Sequence, residues 1–262
     1  MNGTPPHANA RPTRHTRARD ATTTALAMTP APVRPDGRAD EHARALVVAL
    51  DVVTHAAGSA YVELGDTKVS CAVYGPRQHR GGDAPARVDR GALEVDVHAA
   101  PFAGKTAGRG RRGEGGRGAT EKSLAGTVRE ALRSSVMVER FEKTQVDVYA
   151  TVLDARGGEA VACVLAATCA LARAGVECRD VVTACEAARI GDRIVLDPDE
   201  SEVAASDGKV FLAQMSSLGG YAKTEIFGRW SPDDATRALD VCAAGCQRFD
   251  ATIREVLRDA TS

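Results

Sequence analysis

The chain has 262 residues, of which 44% are hydrophobic and 26% are charged, and its formal net charge is −1. This length allows one large or two small domains with a sizeable core. The balanced charge excludes a protein that binds polyanions over its whole surface, so any basic function must be local.

Hydropathy and cysteine usage exclude two further classes of protein. No apolar run reaches the roughly 18 residues of a membrane span, and the N-terminus lacks the apolar centre of a secretory signal. The cysteines are odd in number, mostly lie in apolar runs and form no Cys-x-x-Cys, which favours buried thiols in a reducing compartment. Cys242 and Cys246 share a helix face without further ligands, a pattern that favours core packing over a metal site. We therefore predict no metal site and no cofactor.

The first 33 residues differ in composition from the rest of the chain. They are rich in Pro, Thr, Ala and Arg and contain nothing that could build a core. We predict a disordered, mildly basic tail over residues 1–33 and a globular domain over residues 34–262.

Alternating apolar and polar residues predict five strands in the first half of the domain. The clearest signal is the hairpin "SAYVELGDTKVSCAV", with Gly65-Asp66 at its bend. A helix that starts near Thr120 is predicted by Leu124, Val128 and Leu132 at helical spacing. The other predicted strands are "RALVVALDVV" (Arg44–Val53), "LEVDVH" (Leu93–His98) and "QVDVYATV" (Gln145–Val152).

The second half opens with a run that is apolar on every side, "EAVACVLAATCALARAG", which ends at Gly175. Such a helix is typical of the centre of a fold. A final helix is predicted from the cap Ser231 and from Pro232 in the first helical position. Strands are predicted between them at "DVVTACEAARI", "DRIVLD", "KVFLAQMSS" and "YAKTEIFG". Helices between sets of strands indicate an α+β layered domain.

The stretch "APFAGKTAGRGRRGEGGRG" (Ala100–Gly118) contains a Gly-Lys-Thr. A phosphate-cradling P-loop needs a glycine five positions before Gly104, where Ala99 stands, so that interpretation is excluded. The glycines oppose a stable helix, and we predict a loop. Its charge suits phosphate backbones, although composition alone favours a solvated loop with surplus charge. The basic residues are Lys105, Arg109, Arg111, Arg112 and Arg117.

Three segments in a fixed order, "RPDGRADEHARAL", "AAGSAYVELGDTKVSCAVYGPR" and "AGVECRDVVTACEAARIGDRIVLDPDESE", resemble the RNase PH family over about Arg34 to Arg258. The resemblance implies an α+β, RNase PH-like two-layer domain of ribosomal-protein-like βαβα halves, with mixed sheets and packed helices. Members pair and assemble into six-membered rings around an RNA-threading channel. The segments "APFAG" and "VECRDVV" are most similar to eukaryotic exosome ring subunits of the mRNA-transport-regulator type.

Active members of the family use inorganic phosphate to cleave the 3′-terminal linkage of RNA, and a Gly-Thr/Ser-Arg turn before the central helix binds that phosphate. Here the turn reads Gly158-Glu159-Ala160, so a carboxylate replaces the hydroxyl and a methyl group replaces the guanidinium. One like-charge pair about 4 Å apart costs on the order of 4 kcal/mol at a moderate effective dielectric. The resemblance therefore implies a phosphate turn that has lost its main contacts.

Active members also carry two aspartates six residues apart for metal-assisted acid/base work. The corresponding positions in "VLDPDESE" and the residues after it are Val203 and Lys209. A two-residue slip would instead bring Asp207 into the second position. With Glu159, Ala160, Val203 and Lys209 as degenerate positions, we predict that the chain is not an enzyme.

The resemblance also implies RNA contacts, because the loop after "APF" faces the RNA path or a partner subunit. This favours phosphate contacts from Lys105, Arg109, Arg111, Arg112 and Arg117. Arg77 and Arg80 are further candidates near the channel neck, although Arg77 equally fits a bracing role at the "YGPR" turn. Almost no aromatic residues accompany these arginines, which argues against base stacking.

We accordingly expect a non-catalytic subunit of the RNA exosome hexameric ring that supports 3′–5′ RNA processing and degradation. The alternative is an active phosphate-dependent 3′–5′ exoribonuclease of the RNase PH type. The implied partners are other RNase PH-like exosome subunits in a hetero-hexamer, RNA-binding cap subunits and RNA, with no membrane partner. The implied location is the nucleus, including the nucleolus, and the cytoplasm.

Overall fold

The structure is a computed structural model that describes residues 34–78, 90–103 and 114–260, with only the backbone described for residues 114–117. The predicted tail over residues 1–33 lies outside these ranges, so its disorder and the domain boundary at Arg34 stay predictions. Arg80 and the basic loop residues Lys105, Arg109, Arg111 and Arg112 also lie outside them, and so does the side chain of Arg117.

The described strands form two sheets, and the first is mixed. Its strand order is β1-β2-β3-β5-β4, in which only β4 runs parallel to its neighbour β5. The predicted hairpin is confirmed, because Leu64 pairs with Thr67 on either side of a Gly65-Asp66 turn. The strands are β1 (Leu46–Leu50), β2 (Gly58–Leu64), β3 (Thr67–Gln78), β4 (Ala92–Ala99) and β5 (Thr144–Asp154).

The second sheet is antiparallel and has the order β7-β6-β8-β9. Its two faces are distinguished by neighbouring residues on β6. A Cβ atom built at Gly245 would lie 2.7 Å from the Sγ atom of Cys185, so Cys185 faces the C-terminal helix. Glu186 therefore points to the opposite face. The strands are β6 (Val182–Ile190), β7 (Arg193–Leu196), β8 (Gly208–Met215) and β9 (Gly220–Gly228).

The described helices are α1 (Glu114–Arg133), α2 (Glu159–Arg173), α3 (Glu200–Ala205) and α4 (Pro232–Asp259), with a 3₁₀ turn at Val138–Arg140. Eleven consecutive residues of α2, from Val161 to Leu171, are buried. This helix contacts β2 and β3 of the first sheet and β6 of the second. The prediction of a central helix, made from its all-round apolar sequence, is confirmed.

Helix α4 begins and packs as its sequence predicts. The hydroxyl of Ser231 accepts a hydrogen bond from the backbone N–H of Asp234, and Pro232 is the first helical residue. One face is buried through Ala238, Cys242, Cys246, Phe249 and Ile253. Cys242 and Cys246 thus belong to the core, together with four other buried cysteines, while Cys178 is half-buried.

The structure differs from the sequence predictions at two helices. Helix α1 begins at Glu114, inside the stretch that we predicted as a loop because of its glycines. Helical stability in proteins comes mostly from tertiary packing, and Val128 and Leu132 are buried further along α1. The short helix α3 was not predicted, although Asp199 and Glu202 form a capping box at its start.

The segment before β1 is fixed to the second half of the chain by ion pairs. Arg34 binds Glu202 through two contacts of 2.6 Å, and both side chains are buried. Asp40 pairs with Arg193, and its carbonyl accepts the N–H of Leu196 at 2.7 Å. We call residues 34–44 the N-terminal clasp.

The predicted α+β fold with two sheets and packed helices is confirmed. Within the described ranges, no helix is both long and apolar enough to span a membrane.

Candidate functional site

The candidate site surrounds the turn that joins β5 to α2. Gly157 and Gly158 have φ angles of +92° and +73°, which disfavour residues with a side chain. A Cβ atom at Gly158 would also lie 2.7 Å from Nη2 of Arg44. The carbonyl of Gly157 accepts hydrogen bonds from Oγ1 of Thr67 at 2.6 Å and from Nη2 of Arg44 at 3.0 Å. The turn is therefore held in one conformation at the N-terminus of α2.

Glu159 and Ala160 occupy the first two positions of α2, where the resemblance placed the lost phosphate contacts. The carboxylate of Glu159 accepts a hydrogen bond from the backbone N–H of Gly157 at 3.0 Å. Ala160 is half-buried and packs against the core. The N-terminus of α2 thus presents one acidic side chain that binds back to its own turn.

Asp197 and Arg44 form an ion pair that contacts this turn. Asp197 directly follows β7, has a φ of +49° and is 1% exposed. Its Oδ2 lies 2.8 Å from Nε of Arg44, and its Oδ1 lies 2.6 Å from Nη2. Arg38 also approaches Asp197, at 3.5 Å. Asp197 therefore ties the N-terminal clasp to the β5–α2 turn through Arg44.

Glu186 and Lys209 form a second ion pair, on the face of the second sheet opposite to Cys185. The Nζ atom of Lys209 lies 2.9 Å from Oε1 of Glu186. Glu186 is 1% exposed, whereas the side chain of Lys209 is 30% exposed. Lys209 is thus a cation of the site that solvent and ligands can reach.

The pKa shifts show that these groups act on one another. Burial raises the pKa of Glu186; the ammonium of Lys209 opposes that shift, while the charges of Glu159 and Asp197 add to it. Burial by itself would lower the pKa of Arg44, but the hydrogen bonds and charge of Asp197, followed by the charges of Glu159 and Glu186, raise it. Three carboxylates and two cations therefore share one electrostatic environment.

The residues of this site do not suit a metal ion. The described ranges contain no group of three His, Cys, Asp or Glu side chains placed to hold one. The ammonium of Lys209 also stands beside Glu186, where a cation would otherwise be attracted.

The remaining residues singled out in the sequence lie around this centre. Val203 is half-buried on α3, next to Glu202, which binds Arg34 of the N-terminal clasp. Asp207 is exposed and immediately precedes β8, while Lys209, two residues later, reaches Glu186. Arg77 pairs with the buried carboxylate of Asp147 and is 44% exposed. This pair supports the bracing role, and the RNA contact of Arg77 stays a prediction.

Sequence reasoning missed Arg44, Asp197 and Glu186 as site residues. One signal was present for Glu186, which is the single charged residue inside the apolar strand segment "VTACEAA". A charged residue in such a strand needs a partner, because an unpaired charge is rarely buried. Arg44 and Asp197 gave no comparable signal, since their pairing joins positions 153 residues apart.

Comparison with known proteins identifies the family. Residues 42–177, just over half of the chain, match the RNase PH model, described as the 3′ exoribonuclease family, domain 1. The chain is 32% identical over 227 residues to the exosome complex component Rrp41 of Cenarchaeum symbiosum, covering 87% of this chain and 91% of the relative. It is 33% identical over 232 residues to human exosome complex component RRP41, covering 87% and 93%.

Solved structures share the same fold. Rice Rrp46 aligns with a TM-score of 0.72 and 23% identity, covering 86% of this chain and all of that one. An Archaeoglobus fulgidus exosome with RNA bound to the active site aligns with a TM-score of 0.71 and 23% identity, covering 84% and 92%. The relatives named here carry the Rrp41 and Rrp46 names, and the resemblance to the mRNA-transport-regulator type stays a prediction.

The prediction that the chain is not an enzyme is contradicted. The matching family is one of 3′ exoribonucleases, and the relatives named Rrp41 match along almost their entire length. The prediction failed because it judged four aligned positions in isolation. Glu186, Asp197, Arg44 and Lys209 still place carboxylates and cations at the same turn. This sequence and this fold together show that the chain belongs to the RNase PH family of 3′ exoribonucleases.

Proposed function

We propose that this protein is a ring subunit of an RNA exosome and acts there on the 3′ ends of RNA. The observation that carries the proposal is the match to Rrp41 components of archaea and human along 87% of the chain. The RNase PH fold of the structure, shared with an exosome that holds RNA at its active site, supports it. The proposed partners are other RNase PH-like subunits, RNA-binding cap subunits and RNA.

Assembly tests this proposal first. The tagged chain is purified from its own cells, and the subunits that accompany it are identified and sized by gel filtration. We expect RNase PH-like chains and proteins with RNA-binding folds in a particle of ring size. A chain that remains a monomer and brings none of these proteins with it contradicts the proposal.

A second candidate function is phosphate-dependent 3′–5′ exoribonuclease activity of the chain itself. The 3′ exoribonuclease family model and the paired charges of Glu186 and Lys209 beside the β5–α2 turn favour it. The exposed ammonium of Lys209 would attract an RNA phosphate, and charge stabilisation of this kind is the main need of phosphoryl chemistry. Glu159 and Asp197 would repel the attacking anion, so we expect slow turnover.

The activity test uses the purified chain, alone and with a co-expressed RNase PH-like partner. Single-stranded RNA is incubated with inorganic phosphate, with and without Mg²⁺, and nucleoside diphosphates are separated by chromatography. Release that depends on phosphate and falls on Lys209→Ala supports this candidate. Absence of nucleoside diphosphates in every mixture contradicts it and leaves the assembly proposal standing.

The basic loop and the cellular location extend the same proposal. Phosphate contacts from the arginines between Arg109 and Arg117 would guide RNA without reading its sequence. The proposed locations are the nucleus, including the nucleolus, and the cytoplasm. Imaging of the tagged chain distinguishes these compartments.

A further inference from the structure

An exposed aromatic ring stands beside the accessible cation of the site. Phe227 on β9 lies directly opposite Lys209 on β8 in the strand register. Directly opposed residues of an antiparallel pair share a face and have Cβ atoms about 5 Å apart. Phe227 is 54% exposed and Lys209 is 30% exposed. The ring and the ammonium therefore form a neighbouring pair on the face of the sheet that carries Glu186.

A buried acceptor completes this group. Oε1 of Glu186 is bound by Lys209, but Oε2 has no hydrogen-bond partner in the part of the chain that the structure describes. Buried polar atoms are nearly always hydrogen-bonded, so an unpartnered oxygen indicates a place for a donor group. A ring, a cation and an acceptor correspond to the base, the phosphate and a hydroxyl of a ribonucleotide.

The backbone under Phe227 is fixed, which suits a rigid stacking surface. Nε1 of Trp230 donates to the carbonyl of Phe227 at 2.8 Å. The ring of Trp230 is itself held by Arg189, whose guanidinium lies 5.5 Å from the ring centroid. Gly228 has a φ of +83°, and a Cβ atom there would lie 2.3 Å from the carbonyl oxygen of Asp207. The exposure of the Phe227 ring is thus not explained by a loose strand end.

We propose that Phe227 stacks on a base of single-stranded RNA while Lys209 binds an adjacent phosphate, next to the β5–α2 turn. This inference rests on the proposed function and names the residues that hold the RNA end. The sequence argued against base stacking, because few aromatic residues lie near the basic loop, whereas the inference proposes stacking. Here the aromatic comes from β9, more than a hundred positions further along the chain.

The test measures the affinity of the full chain for a fluorescein-labelled 12-nucleotide oligoadenylate by anisotropy. Base–aromatic stacking is worth enough that Phe227→Ala should weaken binding by about tenfold, while Phe227→Trp keeps it. Phe227→Ala removes no charge and should leave the salt slope unchanged, whereas Lys209→Gln should reduce the slope by about one. An abasic 3′-terminal nucleotide should weaken binding of the unaltered chain and should not weaken that of Phe227→Ala further.

Tyr221→Ala is the matched control, because Tyr221 lies on the same strand, is 60% exposed and pairs with Gln214 on the opposite face. We expect it to bind RNA like the unaltered chain, with thermal unfolding confirming that each variant is folded. Equal RNA affinity of Phe227→Ala and the unaltered chain overturns the inference alone. If Phe227→Ala loses its partner subunits but keeps its RNA affinity, the stacking inference is wrong and Phe227 instead contacts a protein partner. An unaltered chain that binds no RNA overturns the proposed function as well.

Discussion

Arg44 and Asp197, which are 153 residues apart in sequence, form a two-point ion pair with N–O distances of 2.6 and 2.8 Å. Both side chains are almost completely buried. Arg44 also donates to the carbonyl of Gly157, so one guanidinium joins the N-terminal clasp, the end of β7 and the β5–α2 turn. A change at either partner therefore acts on the site as well as on stability.

Arg44→Ala should lower the free energy of unfolding by about 3–5 kcal/mol, because it removes the two-point partner of the buried Asp197 carboxylate and leaves only the more distant Arg38, at 3.5 Å, to balance its charge. Urea unfolding followed by circular dichroism measures this. Arg173→Ala is the control, since Arg173 pairs with Asp51 where both are partly exposed, and such pairs contribute about 0–1 kcal/mol. Similar decreases in the free energy of unfolding of the two variants would show that the Arg44–Asp197 pair contributes no more than an exposed ion pair.

Gly158→Ala should destabilise the protein more than Gly175→Ala. Both glycines have positive φ angles, +73° and +70°, so both substitutions carry the same backbone strain of about 1 kcal/mol or more. Only at Gly158 does the new Cβ atom meet another group, Nη2 of Arg44 at 2.7 Å, whereas nothing lies within 4 Å at Gly175. The difference between the two unfolding free energies isolates the contact, and equal values would mean that Arg44 moves aside without cost.

The pH dependence of stability should reveal Glu186. Burial raises the pKa of this carboxyl above its ordinary value of 4.5, so its unfolded form releases its proton first as the pH rises. The stability that Glu186 contributes is therefore complete below that value and is lost as the pH rises through the folded-state pKa. Relative to Glu186→Gln, the unaltered chain should become progressively less stable upward from pH 4.5. Urea titrations of both proteins between pH 4 and pH 8 measure this difference, and a constant difference would contradict the shift.

The basic loop gives a prediction that depends on the sequence alone. Changing Arg109, Arg111, Arg112 and Arg117 together to Ala should flatten the dependence of RNA binding on salt by the assembled ring, because fewer counterions are released. The slope of log affinity against log salt is the measurement. An unchanged slope would mean that these arginines do not contact RNA phosphates and that the loop is only solvated.

Much of the fold could be predicted because its signals are local. The hairpin at Gly65-Asp66 shows period-two alternation, and α2 is apolar on every side, so each pattern has one dominant explanation. The start of α1 could not be predicted in this way, because glycines at residues 115, 116 and 118 oppose a helix locally while burial of Val128 and Leu132 stabilises it from a distance.

The site was harder to predict than the fold, for a related reason. Glu159 and Ala160 were found because they lie beside each other at a recognisable turn. Lys209 was found only as a substituted position, and its pairing with Glu186 depends on the register between β6 and β8. Judging activity from single aligned positions therefore missed the carboxylates and cations that neighbouring strands bring to the same place.

The N-terminal clasp also constrains how the chain can fold during synthesis. Arg34 binds Glu202, which follows it by 168 residues, so the clasp cannot close until most of the polypeptide has left the ribosome. Until then Arg34 and Arg44 remain without the carboxylates that neutralise them, while β1 to β5 are already free to pair. The earliest-made part of the domain thus stays without its partners until residue 202 has been made, and nascent chains stalled before residue 197 would expose this unpaired end to chaperones and proteases.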